Sequence, residues 1–411
     1  MLNTFQQQPH SVLPGHTADE ASRQEFAKSL KQFIQQDILP GVGQVFGGRA
    51  APCFEKDTGN PPAGRRDIRS AMVKDPYFQT YAAVNRIAQE LLWDSVIDSI
   101  EREGEAWNAA LEAASAFNSG ELLIPDEFKV PGYITSLDIH CMPGGYAGHD
   151  GNGEAQLGAL YDRGVYLYTM GYTGPLNDDM GRSVCNYLKR NYPDFKPRRI
   201  LDMGCTVGHS TLPYTEAFPD AELWGIDVAG AQVKYAHARA GALGKTVNFA
   251  QMNAEHTDFE DGSFDLVVSH ILLHETSARA MPKVFNECFR LLAPGGLMVH
   301  ADLPPFLKMD DFSQFLLDNE TWYNNEPFWG AMRDMDQEQL AENAGFDRSE
   351  VRFDTAPMAI MEHMAGAQGY GEDSVSAVGD REFVAGEFAP GGGWEVLIGR
   401  KGEEVAQRAA S

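Results

Sequence analysis

The residues best suited to chemistry gather in one stretch, ILDMGCTVGHST, at positions 200–211. An apolar run meets an acid, Asp202, and Gly204 and Gly208 then bracket Cys205, Thr206 and Val207. That pattern reads as a strand entering a glycine turn at the lip of a nucleotide-type site. Nineteen residues after Gly208, ELWGIDVA closes a second apolar run on Asp227. An acid there lies over the first loop and can accept bonds from both ribose hydroxyls, as a dinucleotide fold also requires. The spacing within the loop separates the two cases. A dinucleotide fingerprint is G-x-G-x-x-G, opening a helix whose N–H groups hold a pyrophosphate. Here the glycines read G-x-x-x-G, and Asp202, two residues before the first, would repel a pyrophosphate. It suits a ligand carrying an ammonium group.

Together with the downstream segments, this stretch resembles the class I S-adenosylmethionine-dependent methyltransferases, in particular the small-molecule group that includes the ubiquinone and menaquinone methyltransferases. The resemblance runs over about residues 160–303 and again 336–401. LDMGCTVG is similar to the family's D-x-G-x-G-x-G loop, with Thr206 standing where the middle glycine is expected. The resemblance implies S-adenosylmethionine as cofactor, contacted by Asp202, Gly204, Cys205, Thr206 and Gly208, with Asp227 on the ribose and Val228 beside it against adenine. Asn253, Ala254 and Glu255 fall where the family meets the adenine ring, and His270 at a strand end faces the same pocket. A positive φ at Thr206 would strain the loop, because a side chain disfavours that backbone conformation.

Methyl transfer from a sulfonium is an in-line displacement, so positioning and water exclusion carry most of the catalysis. A base is needed only where the acceptor must lose a proton. Candidates lie where open α/β sheets place their ligands, at the carboxyl ends of the strands. VVSHILLHETS offers His270 and His274 with Glu275, and VHADLPP offers Asp302. We expect His274, His270 and Asp302 as catalytic groups; a packing or cofactor-orienting role for either histidine stays open. Cys205 has no identifiable base that would make it a nucleophile. HETSA does not match HExxH, since Ala278 stands where the second histidine would be, and no metal is expected. The strand carrying His270 lacks the Asn/Asp-Pro-Pro-Tyr ending of amine-methylating relatives and the terminal acid of the magnesium-dependent catechol type. Both absences favour a metal-independent enzyme acting on a small molecule. The rivals are an NAD-dependent oxidoreductase and a non-catalytic binding subunit with the methyltransferase fold.

The elements that must position these residues emerge from rhythm. Seven apolar runs alternate with helix-like segments after residue 160: RRILDM, ELWGIDV, VNFAQM, FDLVVSH, GLMVHAD, EVRFD and WEVLIGR. We expect an α/β fold with a Rossmann-like seven-stranded sheet, mostly parallel with one antiparallel strand, behind a helical N-terminal domain. The expected divisions are a helical region over 1–120 and a Gly-rich connection over 121–160. A methyltransferase domain spans 161–401 and a tail 402–411. Residues 1–20 read as a loose arm, and PGVGQVFGGRAAP as loop or linker. Within the domain, 304–335 is an aromatic insertion in the place of a lid, and 356–393 is a second insertion. Trp322 and Tyr323 are candidates for the substrate pocket, although the same aromatics suit a dimer seam or packing on the N-terminal helices. Tyr161, Tyr166 and Tyr168 precede the first strand, where a side chain can reach the methionine end of the cofactor.

The chain of 411 residues has a formal net charge of −26, which repels phosphate backbones, so nucleic acid is not an expected partner. No run of about eighteen apolar residues predicts a membrane span. Five scattered cysteines without a CxxC suit a reducing cytoplasm. The expected partner is a small-molecule methyl acceptor, and a homodimer is left open.

Overall fold

The structure is a computed structural model that describes residues 6–148, 154–362 and 392–403. Its N-terminal part is helical. Thr17 opens the first helix, Ala18–Phe33, with a capping box: its side chain accepts from Glu20 N, and Glu20 returns a carboxylate to Thr17 N at 2.7 Å. The helical path then runs on to Thr58 through two π-turns, Ile34–Ile38 and Phe46–Ala50. The Gly/Pro-rich passage expected as linker is therefore helical. Its prolines, Pro40 and Pro52, stand just after the two π-turns within that path. Gly41 adds a packing reason: a Cβ there would lie 2.1 Å from the Tyr77 hydroxyl on the next long helix. That helix, Pro76–Ser115, starts on the Asp75 cap and bends at Gly104 (φ 50°). The expected loose arm is also corrected. Gln7 and His10 hydrogen-bond to buried Asp162, and Val12 is buried.

Among the described residues the sheet has eight strands, one more than expected: β1 (Leu122–Leu123), β2 (Arg199–Met203), β3 (Glu222–Asp227), β4 (Asn248–Gln251), β5 (Phe264–His270), β6 (Leu292–Asp302), β7 (Val351–Pro357) and β8 (Gly393–Arg400). Their order is β1-β4-β3-β2-β5-β6-β8-β7, with β8 alone antiparallel to its neighbours. The added strand is a two-residue edge pairing Leu122 with Phe249, too short to show a period in the sequence. Side chains alternate across the sheet as the pleat requires. Ile200, Val268 and Val299 face one apolar layer, and Leu201, Met203, Val267 and Met298 the other.

The chain leaves β2 toward β3 on one side and returns to β5 on the other. Between them lies the point where strand order reverses, which is where such sheets bind ligands. Met203, Asp227, His270 and Asp302 end their strands at this side. Among the described residues no helix is long and apolar enough to cross a membrane. Most of the second insertion, 363–391, and the tail from 404 lie outside the described residues.

Candidate active site

A cavity opens at the reversal point and encloses about 1580 Å³, its mouth included. The loop after β2 forms its floor. Gly204 N and Cys205 N both donate to Ile226 O, at 2.8 and 3.0 Å, which folds the loop across β3. Gly204 has φ +73°, and a Cβ on it would lie 2.7 Å from Leu272, so glycine is required twice over. Thr206 has φ +44°, the strained region for a β-branched residue. Its N–H donates to Asp227 Oδ2 at 3.0 Å, a bond that helps hold the conformation. Asp227 Oδ1 accepts from Ala229 N at 2.8 Å. Burial pushes the Asp227 carboxyl up to about 6, against these N–H donors, which favour its charged form.

Asp202, Gly204, Cys205, Thr206, Asp227, Val228, Asn253, Ala254, His270 and His274 all line this one cavity. Two expected contacts do not. Gly208 turns away and packs by its Cα side toward Phe249. The Glu255 carboxylate accepts from Tyr133 Oη and Lys283 Nζ instead, at 3.3 and 2.7 Å. Tyr161 and Tyr168 line the cavity, and Tyr166 does not.

The catalytic expectations divide in the same way. His270 has no free nitrogen. Nδ1 meets Asp202 Oδ1 at 3.1 Å, and Nε2 meets the Tyr214 hydroxyl at 3.2 Å. It orients Asp202, whose other oxygen accepts from Thr211 at 2.6 Å, and both of its own ring nitrogens are engaged in this structure. Asp302 is not in the cavity wall. Its oxygens accept from His274 Nδ1 at 2.7 Å and from the backbone N–H groups of Leu273 and Leu303. Asp302 is therefore a positioning residue, which fixes the His274 tautomer with Nε2 toward the cavity. Burial disfavours a charged His274, but Asp302 and then Glu275 outweigh it and raise its pKa above the usual histidine value. The His274 ring meets Trp329 edge to face at 5.1 Å.

Trp322 and Tyr323 lie outside the cavity. Trp322 is 56% exposed with Arg69 stacked over it at 3.9 Å, and Tyr323 packs on Phe78. Trp329, further along the same insertion, takes the wall position.

Three groups beside His274 escaped the sequence reading. His140 lies between two carboxylates, with Nε2 2.9 Å from Glu275 Oε1 and Nδ1 3.0 Å from Glu326 Oε1. Tyr146 Oη donates to the same Glu275 oxygen at 2.9 Å. Burial works against a charged His140, yet Glu326 and Glu275 raise its pKa well above the ordinary value. His140 and Tyr146 come from the glycine-rich stretch read only as a connection. A glycine-rich segment carrying a histidine between apolar residues is the one signal that could have pointed there.

Residues 200–296 match the family profile described as a methyltransferase domain. The demethylmenaquinone methyltransferase of Thermus thermophilus is 36% identical over 109 residues, which cover 26% of this chain and 49% of that protein. A tRNA N(3)-methylcytidine methyltransferase of Drosophila melanogaster is 28% identical over 113 residues, 26% of this chain and 35% of that one. The chain spans about half or less of the curated relatives it matches. Among solved structures, phosphoethanolamine N-methyltransferase 2 of Haemonchus contortus, in complex with S-adenosyl-L-methionine, matches over 59% of this chain and 57% of its own. The sequence identity is 17% and the TM-score 0.38.

Proposed function

We propose that residues 200–296, which match a methyltransferase domain, are of the S-adenosylmethionine-dependent class and that the chain methylates a small-molecule acceptor held in the cavity. The residues present fit the cofactor. Gly204 presents bare backbone to the cavity, Asp227 keeps its outer lone pairs for two ribose hydroxyls, and Asp202 presents a buried acid suited to an ammonium group. The same acid disfavours a pyrophosphate and with it the NAD reading. When bound, the cofactor supplies a sulfonium-activated methyl group for in-line displacement. The chain's own task is to align an acceptor and exclude water, which can supply on the order of 7–11 kcal/mol.

The observation that carries the reading is that His274, held from behind by Asp302, lines the cavity that the Asp202–Asp227 loop floors. Asp302 holds Nδ1–H and leaves Nε2, 3.7 Å from Glu275 Oε1 in the cavity wall, as the nitrogen to which acceptor activation is assigned. A cavity walled by Trp329, Tyr146, Tyr161 and Tyr168 supports an organic molecule of modest size. A net charge of −26 is adverse to an RNA acceptor. All five cysteines are free thiols, which supports the cytoplasm as the compartment.

The test is twofold. Calorimetry with S-adenosylhomocysteine should show binding, and labelled S-adenosylmethionine with a metabolite extract should yield a labelled product. His274→Ala should then lose about 100-fold or more in rate while keeping its affinity for S-adenosylhomocysteine. Equal losses in both would make His274 structural. Binding without any turnover would favour the non-catalytic reading that the Thr206 departure leaves open.

A further inference from the structure

Beside the proposed acceptor space, His140, His274, Glu275 and Glu326 each bring one potential ligand atom to within 4.8 Å of the others. Which atoms are already engaged matters more than their number. His274 engages Asp302 through Nδ1 and turns Nε2 toward Glu275 Oε1 at 3.7 Å. His140 engages Glu326 through Nδ1 and turns Nε2 toward the same oxygen at 2.9 Å. Each imidazole thus has a carboxylate behind it and a nitrogen in front, and both nitrogens converge on one carboxylate. Metal-bound histidines are oriented in this way, by a carboxylate on the nitrogen away from the ion. Two imidazoles and one carboxylate are the donor set of catalytic zinc and non-haem iron sites. Neighbouring ligands bound at about 2.1 Å lie about 3.0–3.5 Å apart; the two imidazole nitrogens stand 2.9 and 3.7 Å from Glu275 Oε1, within a group whose atoms all lie within 4.8 Å of one another.

A second observation points the same way. Glu275 Oε2 and Glu326 Oε2 are buried without a hydrogen-bond partner, and the Glu326 side chain is fully buried. Orphaned carboxylate oxygens are costly, and a cation satisfies them. His140 also has φ +56°, a left-handed backbone that the surrounding structure must hold in place.

We propose that His140, His274 and Glu275 bind a divalent first-row transition-metal ion, with Glu326 closing the group and Asp302 as the outer carboxylate. The ion would take an oxygen donor of the methyl acceptor as its open ligand, so the His274 lone pair acts through it. This rests on the acceptor lying against His274, as proposed above. The missing acid at the end of β5 argued for a metal-free enzyme; the structure draws its donors from three separate segments instead.

The test uses the full chain stripped with a chelator, then titrated with Co²⁺ alone and followed by visible d–d absorption, with Zn²⁺ by calorimetry as a second probe. One ion per chain is expected. Glu275→Gln and His140→Gln should each weaken it by at least about tenfold, and Asp302→Asn by about 10–100-fold. S-adenosylhomocysteine affinity, measured on the same samples, should persist and so report correct folding. The proposal falls if the stripped native chain binds neither ion, or if both Glu275→Gln and His140→Gln bind as the native chain does. Should Glu275→Gln lose S-adenosylhomocysteine as well, His140→Gln, on a partly exposed side chain, decides. An ion bound by a chain that does not bind S-adenosylhomocysteine would overturn the methyltransferase reading and leave this one standing.

Discussion

Asp227 carries two loads with one carboxylate: it fixes the loop through Thr206 N and Ala229 N, and it offers its remaining lone pairs to a ribose. Burial places its pKa at about 6, so its charge state changes within an accessible range. Above that value the group is a carboxylate that only accepts; below it, the added proton takes a lone pair that a ribose hydroxyl would use. Affinity for S-adenosylhomocysteine should therefore fall as pH drops from 7 to 5, measured by calorimetry in buffers of matched ionisation heat. Asp227→Asn should bind more weakly at pH 7 by about 1–3 kcal/mol and lose that pH dependence. A native profile flat between pH 5 and 7 would remove Asp227 from the ribose. Asp202 and Asp227 were legible because each acid stands at a fixed distance from a glycine turn along a single strand–loop unit. His140 and Glu326 were not, because nothing local marks them. Their chemistry exists only where the segments around 140, 275 and 326 meet. His270 and Asp302 were legible as residues but not in their bonding, since a sequence does not show which nitrogen or oxygen is already engaged.

The aromatic insertion shows the same division among elements. Its helix, Asp311–Tyr323, lies on the N-terminal helices rather than over the cavity. Phe312 stacks on Phe46 at 4.8 Å, Phe315 meets Phe78 at 5.3 Å, and Arg65 pairs with Asp334. An excess of aromatics announced a buried face but could not name the surface that buries it, because a lid, a dimer seam and a helix contact share one periodicity. The strands were legible since a parallel sheet buried on both faces needs continuous apolar runs. The helix over the Gly/Pro passage was not, since a tertiary contact at Gly41 overrides the local preference. Phe315 is 1% exposed and central to this seam. Phe315→Ala should cost about 3–5 kcal/mol in urea unfolding followed by circular dichroism. A cost below about 1 kcal/mol would mean that the helix is not seated against Phe78 in solution.

At the scale of the molecule, one buried acid joins the arm, the loop after β2 and the helix Gly230–Ala242. Asp162 is fully buried and accepts from Gln7 (3.1 Å), Tyr235 (3.0 Å) and Arg239 (3.0 Å), and it meets His10 at 3.1 Å and His209 at 2.8 Å. Burial works against its charge, but Arg239 first and then His209 hold its carboxyl well below the usual range. Burial keeps His209 below the usual histidine value, so it acts as a neutral donor, and the charge partner of Asp162 is Arg239, itself 1% exposed. An ion pair so enclosed is weak evidence of net stability, yet removing one member leaves the other charge buried and uncompensated. Asp162→Asn should therefore cost about 3–5 kcal/mol, and it should release the segment around Gln7–Val12 to limited proteolysis before global unfolding. His209 stacks on Tyr161, and both line the cavity, so cofactor affinity should fall in the same variant. A stability loss with the arm still protected would assign Asp162 to the Arg239 pair alone. Loss of arm protection together with cofactor affinity would make the N-terminal arm a structural part of the site, although none of its described residues lines the cavity.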